Sequence, residues 1–265
     1  MSAQSATFSL QRATLRIASL ERGEHFYAGT LGLWPQRTGP RELRLSSRPD
    51  GEPLLSLIEA PEAKPRPPDA AGLYHLAILL PARAQLAEVL VRLTQHHWPL
   101  RGLSDHGVSE AAYFADPEGN GLEIYADRPR ESWPEGRGDK IAMFTKPLDV
   151  RDLLMIMPTD MPPAEPLRNA VIGHVHLDVQ SLENAGDFYV AALGLAVRQD
   201  DRPGALFVAA DGYHHHFGLN TWRHARRSNP PQALGLAEIR IARAGQSEPQ
   251  HLTDPDGNAL LLLPL

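Results

Sequence analysis

Asp116-Pro117-Glu118-Gly119-Asn120 runs into Gly121-Leu122-Glu123-Ile124-Tyr125, and Asp254-Pro255-Asp256-Gly257-Asn258 runs into Ala259-Leu260-Leu261-Leu262-Leu263. Each is a Pro/Gly/Asn turn feeding an apolar strand. Only the first copy keeps a charge inside that strand. Burying Glu123 between apolar neighbours is costly unless something pairs with it, and Leu261 in the second copy shows that the architecture does without it. A carboxylate that the fold can dispense with is a candidate ligand.

The duplication extends outward from these strands. Ser19-Leu20-Glu21, Phe26-Tyr27 and Leu31-Gly32-Leu33 recur with the same spacing as Ser181-Leu182-Glu183, Phe188-Tyr189 and Leu193-Gly194-Leu195. Each set predicts one helix, with Ser as N-cap, apolar residues at helical period and Gly after the last turn. A short alternating strand precedes each, at 14–18 and 174–179, and several strands come after. Repeats of this size define an architecture. Units beginning near Thr7, Gly72, Ala170 and Leu234 give four strand–helix–three-strand (βαβββ) modules of an α+β fold. Module two has its predicted helix at 83–96, with Leu86, Val89, Leu90 and Leu93 on one face. Module four has too few residues between its first and last strands for a helix and two strands, and is read as truncated. Pro-rich joins at 59–71, 128–147 and 223–233 separate the units, and 148–157 reads as a short apolar helix. The expected division is an N-terminal region at 7–127 holding modules one and two, a linker at 128–169, and a C-terminal region at 170–265 holding modules three and four.

A chain of 265 residues accommodates two such domains. The formal charge of −6 and the lack of a basic cluster beyond Arg223–Arg227 argue against a nucleic-acid partner. No segment reaches membrane-spanning length, and the N-terminus has no signal-peptide core, so a cytoplasmic protein without membrane contact is expected. With no cysteine, disulfides, thiolate nucleophiles and sulfur-ligated metals are excluded. Any metal site must use imidazole and carboxylate.

Histidine supplies the imidazole. His75 lies in the first strand of module two, and His174 and His176 lie in the first strand of module three. Residues two apart share a strand face, so either of the latter pair can point into a cavity; His174, nearer the strand start as His75 is, is preferred. With Glu123 they make a two-His-one-carboxylate set, which leaves open coordination positions and suits non-haem Fe(II). Modules one and four lack these groups. Module one has Arg12 or Thr14 in place of the module-three histidines, and module four has Glu238 for His75 and Leu261 for Glu123. The expected geometry therefore sets module two against module three around the metal, with one and four as a metal-free copy.

These residues carry a family resemblance. The whole chain resembles the vicinal oxygen chelate (glyoxalase/bleomycin resistance/extradiol dioxygenase) superfamily, whose βαβββ modules roll into half-barrels, and within it is similar to catechol 2,3-dioxygenase-like proteins. The phrases that carry the likeness are Gly72–Pro81, His106-Gly107-Val108-Ser109 through Tyr113 to Asp127, Gly173–Leu177, and Gly212-Tyr213-His214-His215-His216 through Trp222. The resemblance implies His215 as the acid/base beside the substrate, and His106 and Tyr113 lining the oxygen and substrate side. On an alternating strand His216 faces as His214 does, which makes it a further candidate for a fourth ligand. The resemblance also departs from pattern: extradiol enzymes of two domains take their ligands from modules three and four, and here modules two and three supply them.

The activity implied by this resemblance is extradiol ring cleavage of a small catechol-type aromatic by O2 at an Fe(II) centre, with Mn(II), Zn(II) or Ni(II) as the other metals such sites take. A homo-oligomer is compatible with this reading. Tyr74, Trp98, Phe114, Phe217 and Trp222 are candidate walls of an aromatic pocket. Two other classes use the same fold. A glyoxalase-like lyase or isomerase needs four ligands and a proton-abstracting carboxylate, with His216 alone able to complete the set. A non-catalytic small-molecule binding protein has no use for the histidines at 214–216.

Overall fold

The computed structural model describes residues 6–157 and 167–265; the stretch of the expected linker at 158–166 lies outside them. Module one consists of β1 (Phe8–Ile17), α1 (Leu20–Glu24), β2 (Trp34–Gly39), β3 (Glu42–Ser46) and β4 (Pro53–Glu59). Module two comes next, with β5 (Gly72–Leu80), α2 (Arg83–Gln95), β6 (Gly102–Asp105), β7 (Ser109–Ala115) and β8 (Gly121–Asp127). The connecting segment carries a short strand, β9 (Lys146–Pro147), and the expected short helix, α3 (Val150–Met155). Module three has β10 (Val171–Asp178), α4 (Leu182–Leu193), β11 (Ala196–Gln199), β12 (Ala205–Ala209) and β13 (Phe217–Asn220). Module four is the reduced unit, β14 (Gly235–Arg243), β15 (Gln250–Thr253) and β16 (Ala259–Pro264), with no helix among its described residues.

Two mixed sheets result. The first, in the order β15-β16-β14-β1-β4-β3-β2, unites modules four and one; the second, β11-β12-β13-β10-β5-β8-β7-β6-β9, unites three and two. Both are joined at their centres by an antiparallel pair of module-leading strands, β1 with β14 and β10 with β5. Helix α2 lies on β7 and β8, and α4 lies on β12 and β13. Leu122 and Ile124 join the core cluster that contains Leu86 and Leu90 of α2. Alternation then puts Glu123 and Tyr125 on the opposite, concave face.

The helix caps are those the serines and glycines predict. Ser19 and Ser181 accept from the N–H groups of Arg22 and Asn184 at 3.3 and 3.2 Å, and Gly194 ends α4 in the left-handed region at φ 70°. Module one departs from the single α-helix expected. After Glu24 the chain widens into a π-helical turn, His25–Thr30, closed by Leu31 N–H on the Phe26 carbonyl. The carbonyls freed at its end are taken by Arg92 of α2, which donates to Thr30 and Gly29 at 2.5 and 2.8 Å. A neighbouring module thus satisfies what the wider turn leaves unpaired.

The duplicated turns are tied to the duplicated helices in a crossed fashion. Asp116 accepts from the N–H groups of Glu118 and Asn120, from the Asn120 amide, and from the Tyr27 hydroxyl at 2.9 Å. Asp254 accepts from Asp256 and Asn258 in the same pattern and from Tyr189 at 3.0 Å. Tyr27 belongs to module one and Asp116 to module two; Tyr189 belongs to three and Asp254 to four. Buried tyrosine–aspartate bonds therefore link module one to two and three to four, whereas the sheets unite one with four and two with three.

Candidate metal centre

Sheet register brings the ligand set together. On β5, Ala77 pairs with His174 of β10 on one side and with Glu123 of β8 on the other, and Tyr113 of β7 pairs with Glu123. His174, Ala77, Glu123 and Tyr113 thus form one row across four strands, and His75 stands two residues from Ala77 on the same face. The methyl of Ala77 leaves room for its longer neighbours to converge above it. His176 pairs directly with His75, one step further along. In this register His174 reaches Glu123 at 3.1 Å, and His176 stands outside the group able to hold a metal ion.

The ligand atoms lie close together. His75 Nε2 and His174 Nε2 are 3.0 and 3.1 Å from Glu123 Oε2 and 3.3 Å from each other. All three residues are buried and form a group able to hold a metal ion. Ligands in cis positions of an octahedron at about 2.1 Å from a metal are about 3.0 Å apart, against about 3.4 Å in a tetrahedron. The observed spacings lie nearer the octahedral value, so one face of such a centre fits these residues. Protonation states agree. Burial pushes Glu123 up, but the imidazoles of His174 and His75 outweigh it and hold the carboxyl well below its ordinary range. Burial lowers His174 to about 4 against the pull of Glu123, leaving the neutral imidazole that a metal requires.

A cavity of about 390 Å³ opens over this triad, and His106, Tyr113, His176 and His215 also line it. His106 Nδ1 is 2.9 Å from the Phe144 carbonyl, so that nitrogen carries the proton; Nε2 then accepts from the Tyr113 hydroxyl at 2.7 Å. Burial, reinforced by Glu123, raises the Tyr113 phenol well above its usual range, keeping it a neutral donor. His176 is buried with Nε2 lacking a hydrogen-bond partner, and its ring stacks over Gly218, where a Cβ would come within 2.9 Å of it.

The histidine run at 214–216 is not on a strand. Asp211 and Gly212 both take positive φ, 54° and 65°, and β13 begins only at Phe217. Strand alternation therefore does not govern these side chains, and each goes a separate way. His214 Nε2 meets Asp127 Oδ1 at 3.0 Å, and its Nδ1 is 2.7 Å from His215 Nδ1. The carboxylate requires a proton on His214 Nε2, so in its neutral form Nδ1 accepts from His215 Nδ1–H. By elimination the free lone pair of His215 is on Nε2. Burial and the neighbouring His174, His214, His176 and His75 push His215 well below its ordinary range, so it is a neutral base. Asp127 and His214 were not singled out from sequence for this task; only the folded loop shows it.

His216 is the correction. It packs against Phe8 with ring centroids 4.8 Å apart, accepts from the Ala210 N–H through Nδ1 at 3.2 Å, and lines a second cavity away from the triad. It is not part of the ligand group. Burial lowers it to about 3, aided by His214 and Arg130 and opposed by Asp211. An imidazole depressed in the folded state takes up a proton on unfolding, so its contribution is complete above the unfolded value near 6.5 and is lost as pH falls towards about 3. Discounted for partial exposure, wild type should lose about 2 kcal/mol more than His216→Gln between pH 7 and pH 4.5 in urea unfolding. Equal losses would show that His216 titrates normally.

Of the expected aromatic walls, Tyr74, Phe114 and Trp222 line the cavity. Trp98 stacks on Phe26 at 4.4 Å and Phe217 on Tyr189 at 4.5 Å, both in the core instead. The segment expected as a plain linker supplies Met143, Phe144 and Thr145 to the cavity wall, because β9 adds to the sheet edge beside β6. Its Pro-rich composition gave no sign of that. Among the described residues no helix is long and apolar enough to cross a membrane.

Known proteins resemble this chain in sequence and in fold. A family model described as "Glyoxalase/Bleomycin resistance protein/Dioxygenase superfamily" matches residues 9–124. A catechol-2,3-dioxygenase of Bacillus subtilis (strain 168) is 42% identical over 242 residues, covering 89% of this chain and 83% of that protein. The fold is shared with a putative dioxygenase of Bacillus subtilis subsp. subtilis str. 168, at a TM-score of 0.63 with 14% identity over 96% of this chain and 84% of the other. It is shared too with glyoxalase I of Zea mays, at a TM-score of 0.58 with 16% identity over 97% and 92%. The chain belongs to the glyoxalase/bleomycin resistance protein/dioxygenase superfamily.

Proposed function

We propose that this protein is an extradiol ring-cleavage dioxygenase that acts on a catechol-type aromatic with O2, with Fe(II) held by His75, His174 and Glu123. The observation that carries this reading is the three-atom ligand face opening into a cavity faced by a neutral histidine base on one side and a hydrogen-bonded tyrosine–histidine pair on the other. When bound, Fe(II) supplies adjacent open positions for the two vicinal oxygens of a catechol and for dioxygen, and acidifies the first hydroxyl. His215 Nε2 takes the second hydroxyl proton, and its orientation is fixed by His214 and Asp127. His215 can return that proton later to the departing oxygen. The Tyr113 hydroxyl, raised in pKa and therefore protonated, gives its one proton to His106 Nε2 and presents its oxygen lone pair to a substrate hydroxyl. His106 sets the direction of that hydroxyl.

The test is oxygen uptake. Fe(II)-loaded protein should consume O2 with a catechol and form a yellow ring-cleaved product. A glyoxalase-type isomerase would turn over its substrate without oxygen; it also needs a fourth ligand, and His216, the residue expected to supply one, faces another cavity. No uptake across a broad panel of catechols would sink the dioxygenase reading.

A further inference from the structure

The cavity over the triad has an unusual charge balance. Among the described residues that line it, Glu123 is the sole carboxylate, and Arg101, Arg202 and Arg223 are all present. With a divalent metal, Glu123 and a singly ionised catechol, the centre is already neutral. The three guanidiniums are therefore not compensated by anything the ring-cleavage chemistry needs.

Among the described residues two of them make no ion pair, and the third shares its one carboxylate with another arginine. Arg202 lies in the turn between β11 and β12, and its Nη2 donates to the neutral Thr145 hydroxyl at 2.8 Å. Thr145 Oγ1 is itself 3.3 Å from His106 Nδ1, which places the Arg202 guanidinium on the Tyr113–His106 side of the cavity. The neighbouring carboxylate, Asp200, is engaged by Lys140 at 2.6 Å. Arg223 has its Nε 3.6 Å from Asp178, and Asp178 also takes Arg66 at 3.2 Å, so one carboxylate stands between two guanidiniums. The Arg223 guanidinium carbon lies 5.4 Å from the centre of the Tyr74 ring. Arg101 stands just before β6, anchored by its backbone N–H on the Tyr113 carbonyl, and is an exposed residue that lines the same cavity. Planar guanidiniums recognise carboxylates by paired, charge-assisted hydrogen bonds.

We infer that the substrate is a catechol bearing a carboxylate substituent, with the diol on the metal and the carboxylate held at the cavity mouth by Arg202 together with Arg101 or Arg223. This rests on the dioxygenase reading and adds a substrate class to it. Aromatic rings at the mouth, Tyr74 and Trp222, flank the ring between its two anchors.

A matched pair of ligands separates the charge from the shape. Binding of 3,4-dihydroxyphenylacetate and of its neutral amide to the Fe(II) protein would be measured by calorimetry without oxygen, beside catechol and the 2,3-dihydroxy isomers. The carboxylate should bind at least about 10-fold more tightly than the amide, the scale of one charge-assisted contact, and the ratio should shrink with salt. Arg202→Gln should bring the ratio close to one. Carboxylate and amide binding alike in both isomer series, with catechol still bound, overturns the substrate class and leaves the dioxygenase reading standing. Failure of every diol to bind overturns both. A ratio that survives in Arg202→Gln but collapses in Arg101→Gln/Arg223→Gln still supports the carboxylate subsite and moves its main contact to those residues.

Discussion

Glu123→Gln is expected to cost the protein its metal and little of its fold. The carboxylate oxygen lies within about 3 Å of both ligand nitrogens, at 3.0 and 3.1 Å, and is the one anionic atom of the set. Residues that merely support a ligand from behind are worth about 10- to 100-fold in affinity, so loss of the ligand charge itself should exceed 100-fold or so. Metal analysis after gel filtration would show the variant largely empty beside a loaded wild type. The companion variant is Glu123→Leu, which copies Leu261 of the sister sheet. It removes a buried carboxylate whose fixed neighbours in the absence of metal are two imidazoles. Its unfolding midpoint should lie below that of metal-free wild type, since removing one partner leaves two buried imidazoles without their acceptor, while a single cooperative transition would show the fold retained. Full metal occupancy in Glu123→Gln would show that the triad is not the centre.

His215→Gln is expected to retain iron and lose at least about 100-fold in kcat, the usual scale for a positioned acid/base. Gln keeps the size and a donor but has no titrating nitrogen. The structure narrows the assignment within the run of three histidines, since only His215 lines the cavity. His214 is committed to Asp127 at 3.0 Å and His216 to the Ala210 N–H at 3.2 Å. Iron content and substrate affinity should change far less than kcat. A variant turning over at the wild-type rate would mean that proton transfer bypasses His215.

Much of this centre was legible in the sequence because the chain carries its own control. Each half writes the same turn and the same helix phrase, so a residue present in one copy and absent from the other marks a function rather than the fold. That comparison picked out Glu123 against Leu261 and His75 against Glu238. It also indicated that modules two and three share the site, since the ligands fall on those two alone. The fold class came from turn chemistry and periodicity, which are local properties that a backbone must obey wherever it is.

Register and loop direction lay beyond that reach. In the nine-stranded sheet the row His174–Ala77–Glu123 crosses β10, β5 and β8; its equivalent in the seven-stranded sheet is Arg12–Arg240–Leu261 across β1, β14 and β16. Sequence left Arg12 or Thr14, and His174 or His176, as alternatives, because two residues on one face of a strand are equivalent until a partner strand fixes which lies opposite which. Small Ala77 lets ligands converge, and Arg240 fills the same place in the copy. The fate of His214, His215 and His216 was hidden for another reason: a loop has no period, so spacing says nothing about direction. The arginines at the mouth come from three separate connections, before β6, between β11 and β12, and after β13, and no interval along the chain relates them. Duplication within the chain marks the residues that the fold can spare; which of them meet is set by strand pairing and loop closure, which exist only once the sheets have packed.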